Sequence, residues 1–116
     1  MTYAEIVAML EEAELPLAYD HFEEGESPDP PFLIFLFPSS DNFAADGTVY
    51  KKINELHIEL YTDKKEPDVE ERLESVLDGH EIYYDKSEVW IPEEKLYEVL
   101  YSTEVIYEQE QDQVQP

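Results

Sequence analysis

The 116-residue sequence predicts an α+β domain, one mainly antiparallel sheet with two helices packed on one of its faces, in the order α-β-β-β-α-β-β-β. Three observations predict it. Two stretches carry apolar residues at helical spacing: Ile6, Met9, Leu10 and Ala13 in one, and Val69, Leu73, Val76 and Leu77 in the other. Two longer stretches, around residues 50–60 and 97–107, alternate in polarity at period two, the pattern of a strand with one wet face. One run, Phe32–Phe37, is apolar at both parities, which suits a central strand covered on both sides.

Thr2 and Glu5 match a capping box, a hydroxyl cap with a carboxylate three residues on. The first helix starts there, and Pro16 stops it because proline lacks the amide hydrogen that the next turn needs. Glu11, Glu12 and Glu14 crowd its C-terminal end, where the helix dipole disfavours negative charge, so packing has to hold the last turn. Ala18–Glu23 is a short strand. Glu24–Pro31 is a loop, since Pro28, Pro30 and Pro31 fix φ and remove donors.

Pro38–Gly47 is a second loop, ending in the reverse-turn pair Asp46-Gly47. A long strand follows. Tyr50, Leu56, Ile58 and Leu60 share one face and Lys51, Glu55, His57 and Glu59 the other. Its length exceeds the usual ~5–6 residues, which predicts a bulge or bend near Asn54. Pro67 suits the first position of the second helix and Gly79 its C-terminal cap. Ile82–Asp85 and Glu88–Ile91 read as a hairpin around Lys86-Ser87, and Pro92–Lys95 as a further turn. Tyr97, Val99, Tyr101, Thr103, Val105 and Tyr107 then alternate with Glu98, Leu100, Ser102, Glu104, Ile106 and Glu108. Six β-branched or aromatic residues at period two favour a last strand over a helix. Residues 108–116 are polar and aperiodic, a frayed acidic tail outside a single domain of residues 1–107.

Composition narrows the function. Thirty acidic residues against seven basic ones give a net charge of -23. That excess opposes contact with nucleic-acid phosphates and anionic lipid. At 42% hydrophobic the chain is too apolar to be disordered. The first thirty residues hold no Lys or Arg, so a cationic targeting segment is not expected, and Phe32–Phe37 is far too short to span a bilayer. There is no Cys, hence no disulfide, thiolate metal site or Cys nucleophile.

The chemistry of a catalytic centre is hard to find. His57 lies with Glu55 and Glu59 on one strand face, a row that could touch a cation but reads better as a solvated face in so Glu-rich a chain. Ser39-Ser40-Asp41 lacks a Gly-x-Ser-x-Gly context. Asp41, Asp46 and Gly47 do not keep calcium-loop offsets. Three glycines cannot build a phosphate-cradling loop, and the aromatics Phe32, Phe35, Phe37, Tyr50 and Tyr61 have no interleaved basic residues for base stacking. The expectation is a non-enzyme with no cofactor and no metal.

Asn42–Ile53 and His57–Lys65, with Glu88-Val89-Trp90-Ile91 and Lys95-Leu96-Tyr97-Glu98-Val99, resemble a family of short structural proteins encoded by phages and prophages of Gram-positive bacteria, in the block between head and tail genes. The resemblance covers residues 2–107. It implies a tail terminator or tail-completion protein, whose wider class has the order α-β-β-β-α-β-β. Such proteins form a ring, often a hexamer, that caps the tail tube and docks to the head connector. It also implies assembly in the bacterial host cytoplasm, then residence in the virion, with no membrane and no sequence-specific nucleic acid as partner.

Candidate interface residues are Asp41, Asn42, Phe43 and Asp46 in the loop, and Lys51, Lys52, Lys64 and Lys65, four of the seven basic residues. Phe43 either folds back to cap the core or projects to anchor a neighbouring subunit or the tail tube. The charge leaves a second function open, an acidic inhibitor that mimics DNA and occupies a nucleic-acid enzyme; the face of His57 and Glu59 leaves a third, a soluble enzyme.

Overall fold

The computed structural model describes residues 1–40, 43–45 and 48–107, and side chains over 1–40 and 52–107. Its elements are α1 (Tyr3–Glu11), β1 (Leu17–Tyr19), β2 (Phe32–Leu36), β3 (Phe43–Ala45), β4 (Thr48–Thr62), α2 (Pro67–Gly79), β5 (Asp85–Ile91) and β6 (Leu96–Tyr107). The sheet order is β1-β2-β4-β6-β5, with β3 paired to β4 off this path. Only β1 and β2 run parallel. This is the α+β class that the sequence predicts.

Both capping-box bonds form at α1: Glu5 donates its amide to the Thr2 hydroxyl at 3.1 Å, and the Glu5 carboxylate accepts from the Thr2 amide at 2.8 Å. The helix ends before Pro16, with Glu14 in the left-handed region at φ 61°. Ile6, Met9 and Leu10 of α1 and Leu73 and Leu77 of α2 face one cluster with Leu33, Phe35, Leu56, Ile58, Leu60, Val99 and Tyr101. The register explains why these sheet residues meet. Ile58 lies opposite Phe35 on one side and Tyr101 on the other, and Leu60 lies opposite Leu33 and Val99. Directly paired residues share a face, so the alternation read along β4 becomes a continuous apolar floor under both helices. Each such side chain stabilises the fold by about 1.5–3 kcal/mol on burial.

Phe32 and Ile34 point to the opposite face, yet both are buried. The connection from β1 to β2 crosses that face, and Phe22 sets its ring edge-on to Phe32 at 5.4 Å. So β2 is covered on both sides, as its double apolar parity predicts. A parallel pair requires such a crossover.

Five local readings change. The first strand is Leu17–Tyr19, because Asp20 takes a left-handed φ of 67° and ends it. The loop before Gly47 contains β3, which pairs with the start of β4. The irregularity near Asn54 lies opposite β4 and not in it: pairing with β6 is unbroken from Lys52 to Thr62, while on the other side the register shifts by one residue between Leu36 opposite His57 and Ser40 opposite Asn54. A second irregularity lies in the β3 pairing, between Phe43 and Ala44. The predicted hairpin around Lys86-Ser87 is instead one strand, Asp85–Ile91, and its turn is Pro92–Lys95, where Lys95 takes φ 55°. Lys86 has partners on α2 and belongs to a ladder, so it does not turn. Gly79 is not the left-handed cap of α2. Glu81 is, at φ 59°, with Ile82 donating to the Leu77 carbonyl at 2.9 Å and Glu81 to that of Asp78 at 3.0 Å. That is a Schellman closure with a carboxylate side chain where glycine is usual.

No helix among the described residues is long and apolar enough to cross a membrane.

Candidate functional site

The helices cover one face of the sheet and leave the other largely open. On the open face, β4 contributes Glu55, His57, Glu59 and Tyr61, and β6 contributes Glu98, Leu100, Ser102 and Glu104. Glu55 lies opposite Glu104, His57 opposite Ser102, and Tyr61 opposite Glu98.

Two polar clusters form there. Glu55 accepts from the Ser39 hydroxyl at 2.8 Å, sits 2.9 Å from His57 Nε2 and lies 3.4 Å from the Ser102 hydroxyl. The Ser39 bond first, then His57, hold its carboxyl below the usual range. Both hydroxyls are spent on the carboxylate, so neither is paired with the imidazole as a nucleophile would be. In the second cluster the Tyr61 hydroxyl lies 2.8 Å from Glu59 and 3.3 Å from Glu98. One hydroxyl proton thus faces two carboxylates. Burial raises the Glu59 pKa, the Tyr61 bond opposes that, and the Glu98 charge adds to it. Phe32 stacks on Tyr61 at 5.2 Å and screens this cluster from water.

The edge beside this face is the most exposed part of the sheet. Every residue of β5 from Asp85 to Trp90 is exposed. No described residue pairs with the outer side of β5. Odd-numbered side chains there point to the open face and even-numbered ones to the helix face, by register with β6. Val89 is 50% exposed on the first and Trp90 43% on the second. Trp90 leans on Tyr97 at 4.7 Å between ring centres.

Lysine on an edge normally discourages pairing with another chain. Here Lys86 is drawn inward instead, 2.9 Å from Glu70 and 2.6 Å from Glu74 of α2. Burial works against the Lys86 charge, but the two carboxylates outweigh it and raise its pKa. Tyr101 donates to the same Glu74 at 2.7 Å. At the start of β5 the edge opens into a cleft of about 570 Å³, lined by Glu55, Glu81, Asp85 and Glu104 with Tyr83, Ser102 and Thr103. Tyr83 is 85% exposed beside it.

The sequence-predicted interface residues do not form one surface. Asp41, Asn42 and Asp46 lie outside the described residues. Phe43 lies in β3 opposite Lys51 of β4, and the side chains of both, hence the choice between anchor and core cap for Phe43, are outside the described residues too. Lys52 is exposed opposite Tyr107. Lys64 is exposed just beyond the far end of β4. The two lysine pairs lie toward opposite ends of that strand, which at ~3.3 Å per residue runs roughly 33 Å from Lys52 to Thr62. Lys65 is turned inward, 2.8 Å from Glu70 and 2.6 Å from Glu88, where it ties α2 to β5.

Among the described residues, no three of His, Asp and Glu are placed to hold a metal ion. The β5 edge is hidden in the sequence because Lys86-Ser87, inside it, has the composition of a turn. The signal that could have found it was Val89 beside Trp90, two apolar residues of opposite parity next to charged ones. Open backbone with side chains exposed on both faces is the means of strand addition. No family model matches the chain, and no curated protein matches it.

Proposed function

We propose that the chain is a phage morphogenesis protein that forms a ring, a tail terminator or tail-completion protein joining the tail tube to the head. The observation that supports it best is β5, a seven-residue edge strand left open beside exposed Val89 and Trp90. Such an edge favours pairing with another chain of an assembly. With the three-residue β3 set aside, the element order is α-β-β-β-α-β-β, the order that the phage resemblance implies. A net charge of -23 on each copy suits a ring through which DNA must pass without sticking.

A DNA mimic has less support. It needs free carboxylates at phosphate-like spacing, whereas Glu55, Glu59 and Glu98 on the open face are engaged by Ser39, His57 and Tyr61.

Deletion of the gene from its prophage, followed by induction, tests the proposal. The expected products are DNA-filled heads and separate tails of irregular length, restored to virions by a plasmid copy. Normal virions from the deletion strain overturn it.

A further inference from the structure

We infer that the β5 edge takes up an extended, basic strand from a different protein, which joins the sheet beside β5. This names the partner chemistry of the assembly surface and rests on the assembly reading for which protein supplies the strand.

Three features converge on this occupant. The outer backbone groups of Asp85–Ile91 are unpaired by any described residue, so an incoming strand gains ladder hydrogen bonds along its length. Trp90 lies on the helix face, and Asp85 and Glu98 lie on the open face with Val89, so a strand whose apolar residues face Trp90 sets its alternate, basic residues against those acids. The charge around the edge is acidic. Asp85 and Glu88 lie on β5, Glu98 lies opposite Val89, and Glu55, Glu81 and Glu104 line the cleft where β5 begins. Lys86 and Lys65 are already held by Glu70, Glu74 and Glu88, and exposed Lys95, in the turn after β5, stands beside Glu93 and Glu94, so Asp85 and the cleft carboxylates set the sign of the charge.

A second copy of this chain fits less well. Its β5 would bring another Asp85 and Glu88. The opposite sheet edge, β1, offers Leu17-Ala18-Tyr19 followed by Asp20, with no base. Like charges directly opposite in a ladder are destabilising. Basic residues in the partner remove that repulsion, and Tyr83 beside the acidic cleft adds an aromatic face to a cation there.

The test measures amide hydrogen exchange of the full chain with three synthetic seven-residue peptides: alternating valine and lysine, alternating valine and glutamate, and lysine alone. The valine–lysine peptide should slow exchange at alternate amides of β5, roughly tenfold at about ten times its Kd. The other two should not. The double variant Val89→Lys/Trp90→Lys, at positions too exposed to disturb the core, should abolish the effect. No slowing at β5, equal slowing by the glutamate or all-lysine peptide, or slowing by the valine–lysine peptide confined to the face of Glu55 and Glu59 overturns the inference. The outcome is separable from the prophage experiment: peptide binding stands with or without a virion defect, and a virion defect stands with or without peptide binding.

Discussion

Glu70 and Lys86 meet at 2.9 Å between α2 and β5, with the Glu70 side chain only 4% exposed. Lys65 approaches the other carboxylate oxygen at 2.8 Å, outside hydrogen-bond alignment, so that contact is chiefly electrostatic. The pair explains how so acidic a chain keeps a carboxylate in its interior. It commits two of seven basic residues to one clamp.

Glu70→Gln should destabilise the fold by about 2 kcal/mol at pH 7, the scale of hydrogen bonds to a charged group. Burial raises the Glu70 pKa, but Lys65 and Lys86 outweigh it and set it below the ordinary 4.5. A lowered folded pKa means stability that is present above 4.5 and lost as pH falls through the folded value. The gap between parent and variant should therefore be full at neutral pH and close in acid. Thermal midpoints from pH 2 to 8 check it, and a gap that does not change with pH refutes the clamp.

Glu59→Gln should act with the opposite sign. The Glu59 pKa is raised, by burial first. A raised folded pKa gives stability that is full below 4.5 and lost as pH rises through the folded value. Glutamine stands for the protonated acid and keeps an acceptor for Tyr61. The variant should exceed the parent at pH 7 by about 0.5 kcal/mol, the upper edge of ordinary surface effects, with no advantage in acid. Chemical denaturation at pH 3.5 and 7 measures both.

Ile58→Asp should leave no folded protein. Ile58 is fully buried between Phe35 and Tyr101, and an unpaired carboxylate there meets no donor. A penalty above ~4 kcal/mol is expected. A dispersed amide spectrum from the variant would show that β4 is not inside the sheet.

Self-association should depend on salt. Copies carrying -23 each repel at low ionic strength, and screening shortens that repulsion to about 10 Å at 0.1 M. Light scattering should find monomers or a weak oligomer in dilute buffer, and larger species at high salt or with tail tubes. A ring whose size is indifferent to salt would mean that charge does not govern assembly.

The two helices, the central β2 and the buried face of β4 were legible because apolar period and capping chemistry act over a few residues. Thr2 with Glu5 and Pro67 announced the helix starts. Leu56, Ile58 and Leu60 announced the core. The β5 edge was not legible. Lys86-Ser87 looks like a turn when read alone, and only α2, which brings Glu70 and Glu74 to Lys86, shows why the chain runs straight through it.

The sequence by itself determined the class of fold, the parity of each long strand and the excess of negative charge. The tertiary structure alone decided where that charge is neutralised and which backbone is left open. Lys65 and Lys86 look like free surface cations until α2 packs beside β5, because ion pairing depends on distances across elements far apart in the chain. An edge likewise exists only once the strands are ordered. β5 is open because β6 takes one of its sides and no described residue takes the other, which no local pattern of residues encodes.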